Sequence, residues 1–328
     1  MRYVKTIIKA LISLSLLAYL IYSADPHKIA EAFIKILRTD GIFYLILSLG
    51  LAALSMLTLS VRWKILLLVY NIKVKLNKLY SYYLIGLFFN NFLPTSIGGD
   101  IVRIMKIVRI SDDKTQGTAS VIIERIVGMM STLIMATLAL LIIYNQFRNQ
   151  KLLIVSFVLL SILVLFFMSI ISERIFSVLK KILNKITVFE VGDKLIKLFE
   201  AIHVFRNRQD VLFKIVALSF LSQTIVVFLN YSLVLALELP VNLSYLFVVI
   251  PVTFLLTMLP SINGIGIREG GYVFLLGKVG VSGAGAISLS FMNLLCFIFL
   301  SLIGALLFVF EKRHENINEG GDVFESTL

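Results

Sequence analysis

The chain has 328 residues, of which 59% are hydrophobic and 15% are charged, and its mean hydropathy is +0.97. This composition excludes an ordinary soluble domain, and the continuous apolar runs exclude the alternating pattern of a β-barrel. The formal net charge of +12 comes from 31 Lys and Arg residues that mostly cluster between the apolar runs. Such clustering is typical of cytoplasmic loops rather than of a nucleic-acid-binding surface. We therefore predict an all-α polytopic membrane protein that binds no nucleic acid.

Six apolar runs are candidates to cross the roughly 30 Å hydrocarbon core of a bilayer as helices. We predict spans at about 7–22, 42–61, 118–144, 152–171, 211–237 and 286–310. The first run follows basic residues, as in a signal peptide or a signal anchor. Tyr22 occupies the position where cleavage after Ala24 would prefer a small residue, so we favour an uncleaved span. Asp25-Pro26 then predicts the start of an interfacial helix on the outer side.

The basic residues orient these spans. Arg62-Trp63-Lys64 closes the second run with the aromatic and basic residues typical of a cytoplasmic boundary. The segment 173–210 is the most basic part of the chain, and its apolar residues fall on one helical face. This pattern favours amphipathic helices on the inner leaflet. We predict a multi-pass protein of the cell membrane, the cytoplasmic membrane, with both termini in the cytoplasm.

Two short passages interrupt the apolar runs in a similar way. One is Leu93-Pro94-Thr95-Ser96-Ile97-Gly98-Gly99-Asp100, and the other is Leu259-Pro260-Ser261-Ile262-Asn263-Gly264-Ile265-Gly266. Pro and Gly with charged neighbours are tolerated at membrane depth mainly where protein or a water-filled cavity satisfies the freed backbone. The flanking charges predict a re-entrant hairpin that enters from the cytoplasm at the first break and one that enters from outside at the second.

The order of span, broken hairpin and span occurs twice, at about 42–144 and 211–310, with opposite predicted orientations. This is the inverted repeat of many secondary transporters, whose discontinuous helices meet near the midplane and bind the substrate. We predict a single membrane domain over residues 1–311, with about six full spans and two oppositely oriented re-entrant helical hairpins. Residues 312–328 form a short polar tail.

The motifs at the breaks are similar to those of a known family. Asn91-Phe92-Leu93-Pro94 with Gly98-Gly99-Asp100 and Arg103, then Glu124-Arg125, then Pro260 with Gly264-Ile265-Gly266-Ile267-Arg268-Glu269-Gly270 resemble the flippase-like transmembrane domain of the lysylphosphatidylglycerol synthase family. The resemblance covers most of the chain and implies movement of a lipid between leaflets. In two-domain members a soluble C-terminal domain makes the aminoacylated lipid. Because only a short tail follows Phe310, we expect a stand-alone form without aminoacyl transfer.

We assign substrate binding or transport to residues at and near the two breaks. These residues are Asn91, Pro94, Gly98, Gly99, Asp100, Arg103, Glu124, Arg125, Pro260, Gly264, Gly266, Arg268 and Glu269. Backbone N–H groups beside the glycines can contact phosphate oxygens, and the arginines can pair with a phosphate through two hydrogen bonds. The carboxylates can hold the arginines in the empty state, accept a cationic headgroup or carry protons.

A purely structural interpretation of the same residues is also open. Ionised side chains at membrane depth must pair, and Asp100 and Arg103 have the i, i+3 spacing at which they can satisfy each other on a helix. Glu124 and Arg125 are adjacent, so we expect them to have different partners. We expect Asn90 and Asn91 to form hydrogen bonds between helices rather than to contact a ligand.

The sequence thus favours a lipid flippase or transporter that needs no metal or other cofactor. Its expected substrate is an anionic phospholipid or a polyprenyl-phosphate lipid, and a lipid synthase or glycosyltransferase is a candidate partner. We do not expect an enzyme, because no catalytic constellation is evident. Two alternatives stay open: an intramembrane lipid-modifying enzyme with Asp100 or Glu269 as general base, and a non-transporting membrane partner of a lipid or glycosyl transferase.

Overall fold

The computed structural model describes residues 15, 17–38, 40–92, 98–111, 113–142, 150–172, 191–257 and 264–325, and these residues form helices and turns without a strand among them. In chain order the helices are α1 (Pro26–Arg38), α2 (Gly41–Val69), α3 (Leu76–Phe92), α4 (Gly98–Val108), α5 (Lys114–Ile142), α6 (Gln150–Ile171), α7 (Val191–His203), the 3₁₀ helix η1 (Val204–Asn207), α8 (Gln209–Ala236), α9 (Leu243–Leu256), α10 (Ile267–Gly277) and α11 (Gly283–Glu325).

Among the described residues, four helices are long and apolar enough to cross a membrane: α2, α5, α8 and the Gly283–Glu311 part of α11. They coincide with four of the six predicted spans. The predicted span at 152–171 is helix α6. The predicted span at 7–22 lies mostly outside the described residues, as does 173–190 of the predicted amphipathic segment. The all-α polytopic fold class is confirmed, whereas the sides from which the hairpins enter stay predictions.

The helices repeat in order and in length. Helices α2, α3, α4 and α5 have 29, 17, 11 and 29 residues, and α8, α9 and α10 have 28, 14 and 11, followed by the 29 residues of the apolar part of α11. The packing repeats as well, because α3 packs on α11 as α9 packs on α5. The short helix α4 packs on α5, and its counterpart α10 packs on α11. We call α2 to α5 the first repeat and α8 to α11 the second repeat.

The two repeats join along α2 and α8, which pack on each other extensively. The Ser48 Oγ of α2 donates to the Leu229 carbonyl oxygen of α8 at 3.3 Å, and the Ser232 Oγ of α8 donates to the Tyr44 carbonyl oxygen at 2.8 Å. Residue numbers therefore rise along α2 where they fall along α8. The first helices of the two repeats are antiparallel, which is the relation that an inverted repeat requires.

The largest apolar core lies where the second repeat packs on α2 and α5. Leu229 and Leu233 of α8, Leu246 of α9 and Leu276 of α10 are fully or almost fully buried there. Large apolar side chains of α2, α5, α6, α8 and α11 are exposed on the outside of the bundle. An apolar exterior around a packed interior is what hydrocarbon as the solvent requires, because lipid chains solvate these side chains as well as a protein core does.

Glycines permit two close helix crossings. A Cβ atom at Gly99 of α4 would overlap the Gly86 carbonyl oxygen of α3, and a Cβ at Gly304 of α11 would overlap the Leu84 carbonyl oxygen of α3. No larger residue fits without moving a backbone. The Gly99 N–H also donates to Oδ1 of Asn90 at 2.6 Å, which confirms the interpretation of Asn90 as a residue that joins helices. Helices α3 and α4 therefore form a tight hairpin.

The prediction that Arg62-Trp63-Lys64 marks a membrane boundary is wrong for its first two residues. Arg62 is 6% exposed and Trp63 is fully buried. Helix α2 continues to Val69, so both side chains lie a turn or more before its end. The Trp63 Nε1 donates to the Ser120 Oγ of α5 at 3.1 Å. Arg62 and Trp63 therefore belong to the protein interior.

The described part of the amphipathic segment packs on the protein, where we predicted contact with the inner leaflet. Ile202 of α7 and Phe205 of η1 are buried in a cluster with residues of α2, α5 and α8. The Tyr70 hydroxyl, directly after α2, donates to the Ala201 carbonyl oxygen at 2.9 Å. Burial, with a smaller contribution from the charge of Asp113, raises the pKa of Tyr70, so this hydroxyl keeps the proton that it donates.

Helix α1 begins as the sequence predicts. Pro26 is its first residue, and Oδ1 of Asp25 accepts a hydrogen bond from the His27 N–H at 3.1 Å. Ile29 is buried against the beginning of α11. The helix thus covers one end of the second repeat.

An ion pair links the two repeats near the end of α4. The Lys106 Nζ lies 2.7 Å from Oε2 of Glu311, and their side chains are 10% and 28% exposed. The same ammonium group lies 5.7 Å from the ring centre of Phe308, within reach of a cation–π contact. Lys106 of the first repeat is thereby held against α11 of the second.

Candidate functional site

A central cavity of about 410 Å³ lies between the two repeats. Its lining comes from α2, α3, α4 and α5 of the first repeat and from α8, α9, α10 and α11 of the second. Of the described lining residues, none belongs to α1, α6 or α7. The volume falls within the range of about 300–1,000 Å³ that is typical of pockets for organic ligands. The helix pair α3 and α4 and the helix pair α9 and α10 therefore both contribute to a cavity of ligand size.

Glu124 of α5 is the centre of a buried ionic network in this cavity. Its carboxylate pairs with Arg103 of α4 and accepts a hydrogen bond from the Tyr83 hydroxyl of α3. The Arg62 Nη2 lies 3.1 Å from Oε1 of Glu124, and the Arg62 Nη1 donates to the Ser219 Oγ of α8 at 2.6 Å. Glu124 is 1% exposed, and two guanidinium groups balance its charge. We call Arg62, Arg103 and Glu124 the charged cluster.

Asp100 at the start of α4 extends this network. Its carboxylate pairs with Arg125 of α5, and its Oδ1 lies 3.5 Å from the Arg103 Nη1. The pair of Asp100 and Arg103 that the spacing suggests is present, but each residue also has a partner on α5. Glu124 and its neighbour Arg125 have different partners, as predicted. The Arg125 side chain is 36% exposed, so it is the most accessible arginine of the network.

Arg103 has the features of an anion-binding group. Its Cζ lies 4.2 Å from the ring centre of Trp63 and 3.8 Å from that of Tyr83, so two aromatic rings hold the guanidinium plane. The side chain is buried, and its Nε has no hydrogen-bond partner in the described part of the chain. An arginine that is fixed by packing and keeps a spare donor can bind phosphate oxygens with little loss of side-chain entropy.

The second repeat contains an ion pair between two neighbouring residues of one helix, Arg268 and Glu269. The Arg268 Nε lies 2.9 Å from Oε1 of Glu269 and 3.0 Å from the Ser290 Oγ. Glu269 is fully buried, and its Oε2 accepts a hydrogen bond from the Gly266 N–H at 2.7 Å. Gly266 has a φ of 83°, in the left-handed region that favours glycine, and it is the N-cap residue directly before α10. Glu269 therefore both caps α10 and neutralises Arg268.

A second polar cluster in this repeat has no charge. Oδ1 of Asn230 accepts hydrogen bonds from the Tyr272 hydroxyl at 3.1 Å and from the Asn293 Nδ2 at 2.9 Å. We call these three residues the neutral cluster. Its members occupy the same places in their helices as the charged cluster: Arg62 and Asn230 are twenty-second in α2 and α8, Arg103 and Tyr272 sixth in α4 and α10, and Glu124 and Asn293 eleventh in α5 and α11.

The cavity brings together part of the predicted site. The predicted residues that line it are Asn91, Asp100, Arg103, Glu124, Arg125 and Arg268. Gly98, Gly99, Gly264, Gly266 and Glu269 are not among its lining residues, and Pro94 and Pro260 lie outside the described residues. The N–H groups of Gly99 and Gly266, which we assigned to phosphate, donate to Asn90 and Glu269 instead.

The sequence reasoning missed most of the other lining residues, and five of the larger polar ones among them are Arg62, Tyr83, Gln223, Tyr272 and Asn293. One signal for Arg62 was present, because the apolar run that it interrupts resumes at Ile65 and continues to Tyr70. A charge inside such a run is a candidate intramembrane residue. The other four are neutral and occur within ordinary helical segments, so their role depends on the packing of helices distant in sequence.

Comparison with known proteins agrees with this arrangement. Residues 6–310 match the family described as the lysylphosphatidylglycerol synthase TM region, a match that spans both repeats and the cavity between them. No curated protein and no solved structure matches the chain. The chain therefore belongs to the family of the lysylphosphatidylglycerol synthase TM region, and it is a multi-pass membrane protein of lipid-related function.

Proposed function

We propose that the protein moves a lipid with an anionic, phosphate-bearing headgroup between the leaflets of the cell membrane through the central cavity. The lipid is a phospholipid or a polyprenyl-phosphate-type lipid. The observation that carries the proposal is the charged cluster, a buried network of arginines and carboxylate that lines a cavity between two antiparallel repeats. Ionisable groups within membrane helices mark substrate pathways by default, because their insertion is costly.

The charges of the cavity favour an anion. Its charged lining residues are Arg62, Asp100, Arg103, Glu124, Arg125 and Arg268, and Arg268 is neutralised by Glu269. The three remaining arginines face two carboxylates, Asp100 and Glu124, so the formal charge of the site is +1 when all seven groups are ionised. An anionic headgroup lowers the electrostatic energy of this cavity, whereas a cationic one raises it.

The carboxylates act as substitutes for the substrate in the empty state. Glu124 and Asp100 both pair with Arg103. An entering phosphate takes the place of a carboxylate at Arg103, whose buried Nε is a further donor for the phosphate once that carboxylate has moved aside. Because the phosphate replaces the carboxylate directly, Arg103 is paired with an anion at every stage. This avoids the large cost of an unpaired buried charge.

An apolar cavity supports a lipid as the transported molecule. It has a volume of about 270 Å³ and is lined by residues of α5, α8 and α9 that include Leu138, Phe220 and Phe247. The same three helices line the central cavity, where Ser219 and Ser222 flank Phe220 in sequence. A cavity with charged lining residues and an apolar cavity on the same three helices provide separate places for the head of an amphiphile and for part of its hydrocarbon chain.

Leaflet exchange in liposomes tests the proposal. Purified protein is reconstituted with chain-labelled phosphatidylglycerol or a labelled short-chain polyprenyl phosphate, and the label that remains protected from an impermeant quencher is followed with time. We expect faster exchange than in protein-free liposomes for at least one of the two lipids. Arg103→Ala is expected to slow this exchange about tenfold or more, because it removes charge-assisted hydrogen bonds.

Arg109→Ala is the matched control for this experiment. Arg109 follows the end of α4 and is exposed, so its substitution removes the same charge away from the cavity and is expected to leave exchange unchanged. Exchange equal to that of protein-free liposomes for both lipids would contradict the proposal. Conversion of either lipid into a new species would support a lipid-modifying enzyme instead.

A further inference from the structure

The charged and the neutral polar groups of the central cavity belong to different repeats. Five of its six charged lining residues lie on the first repeat, and Arg268 is the exception. Arg268 is itself paired with Glu269 of the same helix. Amides and hydroxyls line the cavity from both repeats, but on the first repeat they stand beside the charges. On the second repeat they are its polar lining residues apart from Arg268, among them Gln223, Thr253, Thr257, Tyr272 and Asn293. The cavity therefore has an ionic side and a neutral side.

The two sides are built on equivalent positions. The charged cluster and the neutral cluster use the same three places in their helices, and in each cluster one oxygen-bearing side chain receives hydrogen bonds from the other two. Equivalent backbones thus present guanidinium groups on one side and a phenol and amides on the other. A ligand that is polar at both ends, but charged at only one, matches this difference.

The neutral side retains hydrogen-bonding capacity. The bond that the Asn293 amide donates to Asn230 uses one amide hydrogen, and the bond that Gln223 donates to the Thr132 Oγ1 at 2.6 Å also uses one. Asn293 and Gln223 are both partly exposed at the cavity. An amide presents a donor and an acceptor together, which suits hydroxyl groups, whereas the guanidinium fork suits phosphate oxygens.

With the proposed function as its basis, we infer that the transported headgroup is a phosphate joined to an uncharged polyol, either a glycerol or a sugar. The phosphate binds on the side of Arg62 and Arg103, and the hydroxyls bind on the side of Gln223 and Asn293. A cavity of about 410 Å³ has room for both parts. An ammonium group in the headgroup would add a cation to a lining that is already positive, so lipids with amine or choline headgroups, and aminoacylated lipids, are poor substrates.

A panel of headgroups on one labelled diacyl chain tests this inference. It comprises phosphatidylglycerol, phosphatidic acid as phosphate without a polyol, phosphatidylethanolamine, and lysyl-phosphatidylglycerol. A labelled short-chain polyprenyl phosphate is compared with the same carrier bearing a sugar, which distinguishes a glycerol source from a sugar source. The two comparisons are phosphatidylglycerol with phosphatidic acid, and the sugar-bearing polyprenyl carrier with the bare polyprenyl phosphate. In at least one of them we expect the lipid with the polyol to exchange about tenfold faster, which is the effect of one or two hydrogen bonds.

Substitution at the neutral side links the preference to the structure. Asn293→Leu is expected to slow exchange of the polyol lipid about tenfold, to the rate of the lipid without the polyol, and to leave that lower rate unchanged. Arg103→Ala is expected to slow both. Leu295, two residues after Asn293, is on the exposed side of α11. Leu295→Ala is therefore the control, and we expect it to leave both rates unchanged. Gln223→Leu provides a second variant if Asn293→Leu does not fold.

The outcomes separate this inference from the proposed function. If every phosphate lipid of the panel exchanges at one rate, transport stands and the polyol inference is overturned. Fastest exchange of lysyl-phosphatidylglycerol or phosphatidylethanolamine overturns it as well, as does a preference for polyol lipids that Asn293→Leu and Gln223→Leu leave intact. If no lipid exchanges faster than in protein-free liposomes, the proposed function fails and this inference fails with it.

Discussion

Glu124 is the shared counter-ion of two buried arginines. It holds Arg62 and Arg103 at once and accepts the Tyr83 hydroxyl, and it is 1% exposed. Buried ion pairs of this kind add little net stability compared with apolar residues of the same volume. The loss of one partner nevertheless lowers stability strongly, because the other charge stays buried without a counter-charge. At this residue, binding and folding are therefore coupled.

Glu124→Gln is expected to lower the free energy of unfolding by about 3–5 kcal/mol, because two arginines lose their counter-charge. Chemical denaturation of the purified protein in detergent, followed by circular dichroism, measures the change. Addition of Arg62→Gln should recover part of the loss. Asp210→Asn is the control, since Asp210 is exposed and pairs with the exposed Arg208, a pair worth less than about 1 kcal/mol. Equal losses for the two single variants would refute the role of Glu124.

At the scale of the elements, the hairpin of α3 and α4 places the charged cluster. Arg103 reaches Glu124 because α4 crosses α3 at the contact of Gly86 and Gly99, where a Cβ on Gly99 would overlap the Gly86 carbonyl oxygen. The Asn90 side chain fixes the crossing through the Gly99 N–H. Separation of these two helices would carry Asp100 and Arg103 away from α5.

Gly99→Ala is expected to destabilise the fold by about 1–3 kcal/mol, as overpacking of a tight interface does. Leaflet exchange should fall with it, because Arg103 moves. Gly50→Ala is the matched control, since a Cβ there meets nothing within 4 Å and the substitution in a helix interior should stabilise by about 0.5–1 kcal/mol. Thermal unfolding in detergent measures both variants. A Gly99→Ala protein as stable as the parent would show that the helices can part without loss.

The elements themselves were largely readable from the sequence, since apolar length and basic flanks identify α2, α5, α6, α8 and α11. Arg62 and Trp63 were misplaced because flank composition cannot distinguish a helix that ends at the headgroups from one that continues to Val69. The apolar face at Ile202 was assigned to lipid because periodicity shows that a face is apolar but does not show what covers it. Asn230 and Asn293 could not be paired, since they lie 63 positions apart.

At the scale of the whole molecule, the two repeats are related by the antiparallel packing of α2 on α8. The order and length of the helices recur, and so do the places of the two polar clusters. The charges flanking the breaks predict that the hairpins enter from opposite sides of the membrane. An arrangement of this kind lets one cavity open to either side by movement of the repeats against each other.

Single cysteines at Ser111 and Lys278 test the opposite entry of the hairpins. Ser111 lies after α4, and Lys278 is exposed at the end of α10. In intact cells, Lys278→Cys should react with an impermeant maleimide, whereas Ser111→Cys should react only after permeabilisation. The native Cys296 is 1% exposed and supplies the unlabelled background. Labelling of both positions from the same side would refute the inverted arrangement.

The ion pair of Lys106 and Glu311 gives the bundle a dependence on ionic strength. It ties the end of α4 to α11, and its two side chains are partly accessible to solvent. Mobile ions screen such a pair over a Debye length of about 8 Å at physiological salt, mainly at the partly exposed Glu311, whereas the Glu124 side chain at the centre of the charged cluster is only 2% exposed and is screened less. A rise in salt concentration would thus weaken the ion pair that joins the two repeats at the end of α4, while the ion pairs of the charged cluster stay intact.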